Sequence, residues 1–447
     1  MPSHTSASAP ADPTQPVGVL GIGVGPFNLG LAALLHPLIE RGELTACFLD
    51  ATSEFSWHPG VMFPDATIQV PFLADLVTMA DPTSPYSFLN YLKRNNRLYS
   101  YYIRESFYPY RTEYSDYCAW VAGQLDYVHW DSPVESVRRA DDGLWEVTVG
   151  GAHPRALKAR HIVNGTGTGP VVPDGWGGVE PEEGVLHSSE FLHREDAVRA
   201  AESVTIVGSG QSAAEIYRHL MEGSAAKATR LDWFTRSPRF FPMEYTALTL
   251  EMTSPDYVRH FHRLPERRRD ELNRAQRNLY KGISGDLVND IYDTLYRLSL
   301  TTPLIGDLRP DVSVSLADPS TPSSDATTGR HRLKVVDGET GTAGIHATDV
   351  VILATGYGRP NTPGHLEGIE EINRDEAGRM AVTREFTVND AKDLFVLNAE
   401  EHTHSLNAPD LGMGAWRNSI IINQLCGREV YAVEESTVFQ RFGGEGL

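Results

Sequence analysis

Paired cysteines, a basic charge balance and long apolar runs are all missing from this chain of 447 residues. Cys47, Cys118 and Cys426 are far apart in sequence, which argues against a disulfide framework and against a CxxC zinc or redox site. The formal net charge of -20 argues against nucleic acid and anionic membranes as partners. No apolar run approaches the roughly 18 residues of a membrane span. These absences predict a cytoplasmic protein.

Two glycine-rich loops stand out in what remains. Each follows a strand-like apolar run and opens a helix-like stretch. Their sequences are Gly21-Ile22-Gly23-Val24-Gly25-Pro26-Phe27-Asn28-Leu29-Gly30 and Val207-Gly208-Ser209-Gly210-Gln211-Ser212-Ala213-Ala214. One such loop is weak evidence for a ligand, but two in one chain suggest a flavin and a nicotinamide held for hydride transfer.

The second strand of each βαβ unit ends in a different type of residue. In the first unit it ends at Asp50, and an acid there accepts hydrogen bonds from a ribose 2′-hydroxyl. In the second it ends near Arg236, and a cation there suits a 2′-phosphate. The sequence therefore predicts NADPH at the second loop. Asn28 stands where the first fingerprint expects its third glycine, and this larger residue keeps the helix and the strand from packing quite as closely there.

The pattern predicts an α/β fold with two Rossmann-like dinucleotide-binding domains, the NADPH domain being inserted in the FAD domain. We predict a disordered tail over residues 1–16 and the first part of the FAD domain over residues 17–200. The NADPH domain, with substrate-pocket helices, is predicted over residues 201–345. The FAD domain returns over residues 346–447, where the apolar run at residues 349–353 reads as its returning strand.

Several further segments, together with the first loop, resemble the microbial N-hydroxylating flavin monooxygenases. These are the ornithine, lysine and diamine N-hydroxylases of hydroxamate siderophore synthesis. The matching segments, in order, are Gly23-Val24-Gly25-Pro26-Phe27-Asn28-Leu29, Phe55-Ser56-Trp57-His58-Pro59-Gly60, Gln69 with Asp75-Leu76-Val77, residues 81–92, Gly208-Ser209-Gly210-Gln211-Ser212-Ala213, Ala354-Thr355-Gly356-Tyr357 and Ala415-Trp416-Arg417. The resemblance covers roughly residues 17–430, and the putrescine and cadaverine enzymes fit the pattern best.

The resemblance implies a reaction that needs FAD, NADPH, O2 and a primary amine, and no metal. NADPH would reduce FAD, reduced flavin would form a C4a-hydroperoxide with O2, and a neutral amine would attack it. The family also implies a homo-oligomer, either a dimer or a tetramer.

The resemblance also assigns residues. The FAD-binding set would be Gly21, Gly23, Gly25, Pro26, Asn28, Asp50, Trp57, His58, Gln69, Thr355, Gly356, Pro409, Asp410 and Leu411. The NADPH-binding set would be Gly208, Ser209, Gly210, Gln211, Ser212 and Arg236. Residues 250–253 would lie at the substrate pocket, whereas His402 and His404 read as structural histidines.

One departure from the family bears on the substrate. The ornithine and lysine enzymes generally carry a lysine five residues after Gln69, where it pairs with the substrate α-carboxylate, and here that residue is Ala74. A buried carboxylate without a partner is costly, which favours a diamine such as putrescine or cadaverine. The distal ammonium of a diamine then needs an acid, and Glu244, Glu251 and Asp410 are candidates. With Gln69, Glu244 and Glu251 form the predicted catalytic set.

Four alternatives remain open at this point. L-lysine N6- or L-ornithine N5-hydroxylation would follow if another loop replaced the missing cation. A flavin disulfide reductase is disfavoured by the lack of paired cysteines. A Baeyer–Villiger or sulfur oxygenase is close in fold. A redox sensor that binds both nucleotides without turnover is the remote alternative.

Overall fold

The computed structural model of the protein describes residues 15–176, 183–318 and 329–444. Most of the predicted disordered tail at residues 1–16 therefore lies outside the described residues. In chain order the strands are β1 (Val17–Ile22), β2 (Ala46–Leu49), β3 (Val128–His129), β4 (Val134–Arg139), β5 (Trp145–Val149), β6 (Arg155–Asn164), β7 (Gly169–Pro170), β8 (Val185–His187), β9 (Ser203–Val207), β10 (Arg230–Phe234), β11 (Leu308–Arg309), β12 (Val312–Leu316), β13 (His331–Asp337), β14 (Ala343–Thr348), β15 (Val350–Leu353), β16 (Tyr357–Gly358) and β17 (Leu394–Val396).

A helix lies between β1 and β2 and another between β9 and β10, and most of the other helices occur in consecutive groups. The helices are α1 (Pro26–Glu40), α2 (Phe88–Arg94), α3 (Leu98–Arg104), α4 (Arg111–Ala122), α5 (Glu195–Ala200), α6 (Gln211–Lys227), α7 (Ala247–Leu250), α8 (Pro255–His262), α9 (Glu266–Ala275), α10 (Gly285–Ser299), α11 (Glu401–His404) and α12 (Gly414–Cys426). In the part of the chain that is described, none of them is both long and apolar enough to cross a membrane.

The first sheet has the strand order β3-β2-β1-β6-β5-β4, and β17 also pairs with β6. The neighbours of β1 run parallel to it, while β4 and β5 form an antiparallel extension. Helix α1 buries Leu31, Leu34, Leu35 and Leu38 against this sheet and packs beside α12. The carboxyl ends of β1, β2 and β6 therefore meet at the amino end of α1, where a doubly wound sheet places its ligand.

The second sheet has the order β11-β10-β9-β15-β8, with all pairs parallel, and β12, β13 and β14 form a separate antiparallel sheet. The parallel strands at the centre of both sheets confirm the predicted α/β fold with two Rossmann-like units. The second sheet includes β8, which precedes the predicted range 201–345 in the chain, and β15, which follows it. Our interpretation of residues 349–353 as the returning strand of the first unit was wrong: β15 pairs with β9, and the strand that returns to the first sheet is β17.

A helical segment, α7 to α10, follows β10 and packs beside the loop that precedes α12. In its small core, Tyr257 and Phe261 of α8 contact Leu406 of that loop and Phe442 near the C-terminal end of the described chain. The segment thus connects the second unit with the C-terminal part of the first.

Candidate active site

The first glycine turn, at the start of α1, is shaped to accept a phosphate group. Gly23 has a φ of +80°, and a Cβ on it would lie 2.8 Å from the carbonyl oxygen of Gly165. A Cβ on Gly25 would meet nothing within 4 Å, and Gly25 caps α1 without a side-chain hydrogen bond among the described residues. Pro26 occupies the first helical position. The open N–H groups behind it form the kind of anion site that the FAD pyrophosphate needs.

Gly21 and Asn28 shape the turn from within the fold. Gly21 lies inside β1, where a Cβ would approach the Phe48 ring to 2.2 Å, so packing requires a glycine there and its FAD contact stays a prediction. Asn28 is fully buried, and its Nδ2 donates to the carbonyl oxygens of Gly23 at 2.7 Å and Val163 at 3.3 Å. The amide that replaces the third glycine therefore ties the turn to β6.

Asp50 lies beside the same turn, at the carboxyl end of β2. Its Oδ2 accepts the N–H of Val24 at 2.6 Å, and its Oδ1 accepts the N–H and the hydroxyl of Thr52 at 2.9 and 2.7 Å. These bonds fix the carboxylate at the sheet edge, and its oxygens keep further lone pairs for ribose hydroxyls.

The Trp57-His58 segment lies where the two units meet. His58 adopts a left-handed conformation with a φ of 50° at the start of the 3₁₀ turn Pro59–Val61. Its ring lies 5.6 Å from that of Trp57 and 5.4 Å from that of Tyr357, between centroids. Burial and the charge of Arg111 lower the pKa of His58, so the ring is neutral at pH 7. This segment supplies a neutral aromatic wall.

Gln69 lines a cavity of about 250 Å³ that extends from the first unit to helix α6, with Gln211 also in its wall. Its Nε2 is buried and has no hydrogen-bond partner among the described residues. A buried donor left unpaired is costly, so this nitrogen calls for an acceptor that the described chain does not supply. The heteroatoms at the edge of a flavin ring are such acceptors, and Gln69 therefore fits FAD.

The second glycine turn repeats the arrangement of the first between β9 and α6. A Cβ on Gly208 would lie 2.1 Å from the carbonyl oxygen of Ala354, and one on Gly210 would meet nothing within 4 Å. Ser209 and Ser212 flank Gly210 with partly exposed side chains. The amino end of α6 is thus open to a second pyrophosphate.

Gln211 and Arg236, the two polar side chains predicted beside this turn, differ in whether they already have partners within the described chain. The amide of Gln211 is already used, because its Oε1 accepts the N–H of Ser284 at 2.8 Å and its Nε2 donates to Glu215 at 2.8 Å. Gln211 thus braces the start of α6, and its cofactor contact stays a prediction. Arg236 is exposed just beyond β10 and has no ion pair among the described residues, so its charge is free for a 2′-phosphate.

Thr355 and Gly356, both predicted to bind cofactor, brace the crossover between the units. The Thr355 hydroxyl donates to the carbonyl oxygen of Val171, and the N–H of Val171 donates to that of Gly356 at 2.9 Å. A ring nitrogen of His187 also lies 3.1 Å from the carbonyl oxygen of Gly356. These bonds hold β7 against β16, where the chain leaves the first unit and returns.

The loop at residues 409–411 is fastened to the first glycine turn by a buried arginine of α12. Nη2 of Arg417 donates to the carbonyl oxygen of Ala408 at 2.8 Å, and its guanidinium lies 4.5 Å from the ring of Phe27. Nη1 of the same group lies 3.1 Å from the buried carboxylate of Glu400. The predicted flavin-facing loop is therefore held beside the turn that begins α1.

Asp410 borders Ala74, the position at which the sequence lacks the family lysine. A Cβ placed on Gly412 would lie 3.0 Å from Oδ1 of Asp410 and 3.7 Å from Cβ of Ala74. Burial raises the pKa of Asp410, although Arg417 and backbone N–H groups act in the opposite direction. The Asp410 charge in turn helps burial to raise the pKa of Tyr245, so this tyrosine belongs to the same corner.

The other two predicted ammonium acceptors lie elsewhere. Glu244 is exposed, and its contacts run through its backbone. The carboxylate of Glu251 accepts the N–H groups of Phe439 at 3.0 Å and Gln440 at 2.9 Å, and these bonds lower its pKa. In this structure Glu251 binds the C-terminal segment of the chain, and its catalytic role stays a prediction that these bonds do not favour.

Sequence reasoning missed two features. Tyr245 lies between β10 and α7, and no motif or spacing rule marks it. The ion pair of Arg111 with Glu215 joins residues 104 positions apart, and only the folded chain brings them together. A charge pair at that separation leaves no periodic signal in a single sequence.

Comparisons with known proteins agree with this geometry. The family model for L-lysine 6-monooxygenase/L-ornithine 5-monooxygenase matches residues 15–359. Putrescine N-hydroxylase of Shewanella oneidensis is 42% identical over 95% of this chain and 84% of its own length. The crystal structure of a cadaverine monooxygenase of desferrioxamine biosynthesis from Erwinia amylovora, bound to FAD, is 41% identical with a TM-score of 0.91, covering 96% of this chain and 99% of that one. An ornithine N-hydroxylase of Kutzneria sp. 744 with reduced FAD, NADP+ and L-ornithine is 28% identical with a TM-score of 0.82, covering 92% of this chain and 99% of that one.

Proposed function

The chain belongs to the L-lysine 6-monooxygenase/L-ornithine 5-monooxygenase family, and from that premise we propose that it N-hydroxylates one primary amine of an aliphatic diamine. Putrescine and cadaverine are the proposed substrates, and hydroxamate siderophore biosynthesis is the proposed purpose. The predicted resemblance is confirmed, and the chain is a flavin-dependent N-monooxygenase.

The predicted cofactors, FAD and NADPH, are also confirmed by the solved relatives. When bound, they supply the electrons and the activated oxygen for a reaction that consumes NADPH, a proton and O2 and releases NADP+, water and the hydroxylamine. The chain supplies the open amino ends of α1 and α6, the unpaired Nε2 of Gln69 and the free charge of Arg236.

Asp410 beside Ala74 is the observation that carries the choice of a diamine. An amino acid substrate would bring its α-carboxylate towards an alanine that is 5% exposed and towards a second carboxylate, and the two negative charges would repel each other. A diamine would bring an ammonium instead, which would pair with Asp410 and favour its ionised form. We propose this role for Asp410 in place of Glu244 and Glu251.

The reacting amine has the opposite requirement, because only the neutral form can attack oxygen. A low-dielectric pocket lowers the pKa of an amine and so releases its proton at neutral pH. Gln69 and the neutral ring of His58 bring no charge to the flavin side, whereas Asp410 holds the charged end. A neutral surrounding for the reacting amine and an acid for the distal ammonium would together select a substrate with two amines.

Lysine or ornithine hydroxylation is the second candidate function. The ornithine N-hydroxylase from Kutzneria shares the fold over 92% of this chain, and this similarity supports the second candidate. A cytoplasmic location and a homo-oligomeric state remain predictions from the sequence.

Product analysis with putrescine, cadaverine, ornithine and lysine under NADPH and air tests the proposal. We expect hydroxylamine from both diamines and little from either amino acid. Cadaverine and lysine differ only by the carboxylate, so equal turnover of these two would overturn the choice of diamine. Flavin binding with no hydroxylamine from any amine would favour the sensor alternative.

A further inference from the structure

A bidentate ion pair joins the two nucleotide-binding units. Arg111, the first residue of α4 in the FAD unit, donates from Nη1 to Oε2 of Glu215 at 2.8 Å and from Nη2 to Oε1 at 2.7 Å. Glu215 lies on α6, the helix that begins at the NADPH turn. The two side chains are only 16% and 8% exposed. Buried, bidentate pairs of this type are geometrically specific.

Glu215 extends the pair to the start of α6. Its Oε1 also accepts Nε2 of Gln211, and Oε1 of Gln211 accepts the N–H of Ser284 just before α10. One carboxylate therefore orders the first side chain of the NADPH-binding helix and, through it, the start of another helix.

Arg111 extends the pair towards the flavin side. Its backbone N–H donates to the carbonyl oxygen of Ala66 at 2.8 Å, three residues before Gln69. Its charge also helps to keep His58 neutral. The arginine therefore contacts the segment that carries the predicted flavin-binding residues.

The pair also borders the cavity between the units. Glu215 lines it together with Gln69 and Gln211, so one member of the ion pair faces a cavity whose wall carries residues of both units. Either charge left alone at this depth would be costly, because the two groups compensate each other. Removing one partner would favour a wider separation of the units, in which water reaches the remaining charge.

We infer that Arg111 and Glu215 are positioning residues that hold the NADPH unit in register with the FAD unit. They act on the placement of NADPH and leave recognition of the amine to other residues. This role is independent of which amine is the substrate.

The test uses the full-length, FAD-loaded protein with Glu215→Gln, Arg111→Gln and the exchanged pair R111E/E215R. We expect each single substitution to raise the NADPH KM about tenfold while the diamine KM changes less than about twofold. Hydrogen exchange without NADPH should become faster in both α6 and residues 59–69. The exchanged pair should recover a large part of both losses.

Glu113→Gln is the matched control. Glu113 lies on the same helix, is 7% exposed and pairs with Arg97 at 2.7 Å, but both partners belong to the FAD unit. It should leave the NADPH KM and the exchange of α6 unchanged. Equal effects of Glu113→Gln and Glu215→Gln would overturn the inference, as would an unchanged NADPH KM in Glu215→Gln. If neither Glu215→Gln nor Arg111→Gln folds, Arg111→Lys replaces them in the test, because lysine keeps the charge but loses the bidentate geometry.

Discussion

At the scale of single residues, Asp410 carries the proposed recognition of the distal ammonium. Asp410→Asn removes the charge and leaves a side-chain oxygen that can still accept the N–H of Gly412. We expect the putrescine KM to rise about 30-fold or more, because loss of one partner of a buried charge pair costs about 2 kcal/mol or more. The NADPH KM should stay constant. Glu244→Gln, an exposed acid, is the control, and a larger effect there than at Asp410 would contradict the assignment.

Ala74 permits the complementary experiment. Ala74→Lys places an ammonium beside Asp410, where it would pair with the carboxylate and offer a cation to an amino acid substrate. We expect the ratio of kcat/KM for lysine to that for cadaverine to rise about tenfold, since each favourable charge contact of about 1.4 kcal/mol has this effect. Ala74→Met provides similar length without charge. A matching rise in that variant would show that shape, rather than charge, controls the ratio.

The residues of the site differ in how far the sequence could predict them. Asp50 and Arg236 follow from strand ends, since the end of the second βαβ strand has a fixed place relative to the glycine turn. The role of Asn28 does not follow from the motif, because its amide donates to carbonyl oxygens of β1 and β6 that only the folded sheet brings together. The contacts of Glu251 do not follow from the sequence for a similar reason, since its partners lie 188 and 189 residues away.

At the scale of secondary structure, the C-terminal segment holds the helices beside the predicted pocket. The Thr437 hydroxyl donates to Asp256 at 2.7 Å, the backbone of residues 439–440 binds Glu251, and the Phe442 ring lies 4.9 Å from that of Tyr257. Residues 250–253 lie between these contacts and the flavin-facing loop, because Nδ2 of Asn407 donates to the carbonyl oxygen of Met252 at 3.1 Å.

A chain that ends at Ser436 lacks these contacts and therefore tests the role of the C-terminal segment. Losing it should loosen α7 and α8, raise the diamine KM about tenfold and leave the NADPH KM unchanged, because these helices flank the predicted substrate pocket at residues 250–253 rather than α6. Hydrogen exchange of α7 and α8 should become faster to match. Glu251→Gln should reproduce part of the effect in the full-length chain. A truncated enzyme with unchanged diamine KM would show that these helices hold their place without the segment.

The secondary-structure elements themselves were predicted unevenly. The β1-α1-β2 and β9-α6-β10 units follow from apolar runs, glycine turns and strand ends, all of which are local signals. The sheet to which β15 belongs was predicted wrongly, because a short buried strand is equally apolar in either sheet. Its pairing with β9 depends on contacts from outside the strand.

At the scale of the whole molecule, the placement of the two units exceeds what a single sequence can predict. Each glycine turn has its own local signature, but their mutual orientation depends on contacts such as the Arg111–Glu215 pair, whose residues are far apart in the chain. The crossover at β7 and β16 brings the units together and leaves the two helix amino ends open to their cofactors. The sequence could predict two dinucleotide sites, whereas the orientation of these sites relative to each other is visible only in the structure.

Stability of the whole molecule should also depend on a buried histidine. His404 is 1% exposed, its Nδ1 lies 2.9 Å from the Thr403 hydroxyl, and its ring stacks on Phe386 at 4.7 Å. Burial lowers the pKa of His404 well below its ordinary value, so the folded protein keeps the ring neutral. The unfolded chain binds a proton there below about pH 6.5, which favours unfolding. The stability that this residue contributes at neutral pH is therefore lost as the pH falls.

His404→Asn isolates this effect, because asparagine does not titrate and can still hydrogen-bond Thr403. The free energy of unfolding of the native chain minus that of the variant should fall by about 1.4 kcal/mol between pH 7.5 and pH 5.5, the value for one histidine that stays neutral only when folded. Urea unfolding at both pH values, with excess FAD, measures the difference, and groups common to both chains cancel. A difference that is the same at pH 7.5 and pH 5.5 would mean that His404 takes up its proton within the folded protein, against the direction expected from its burial.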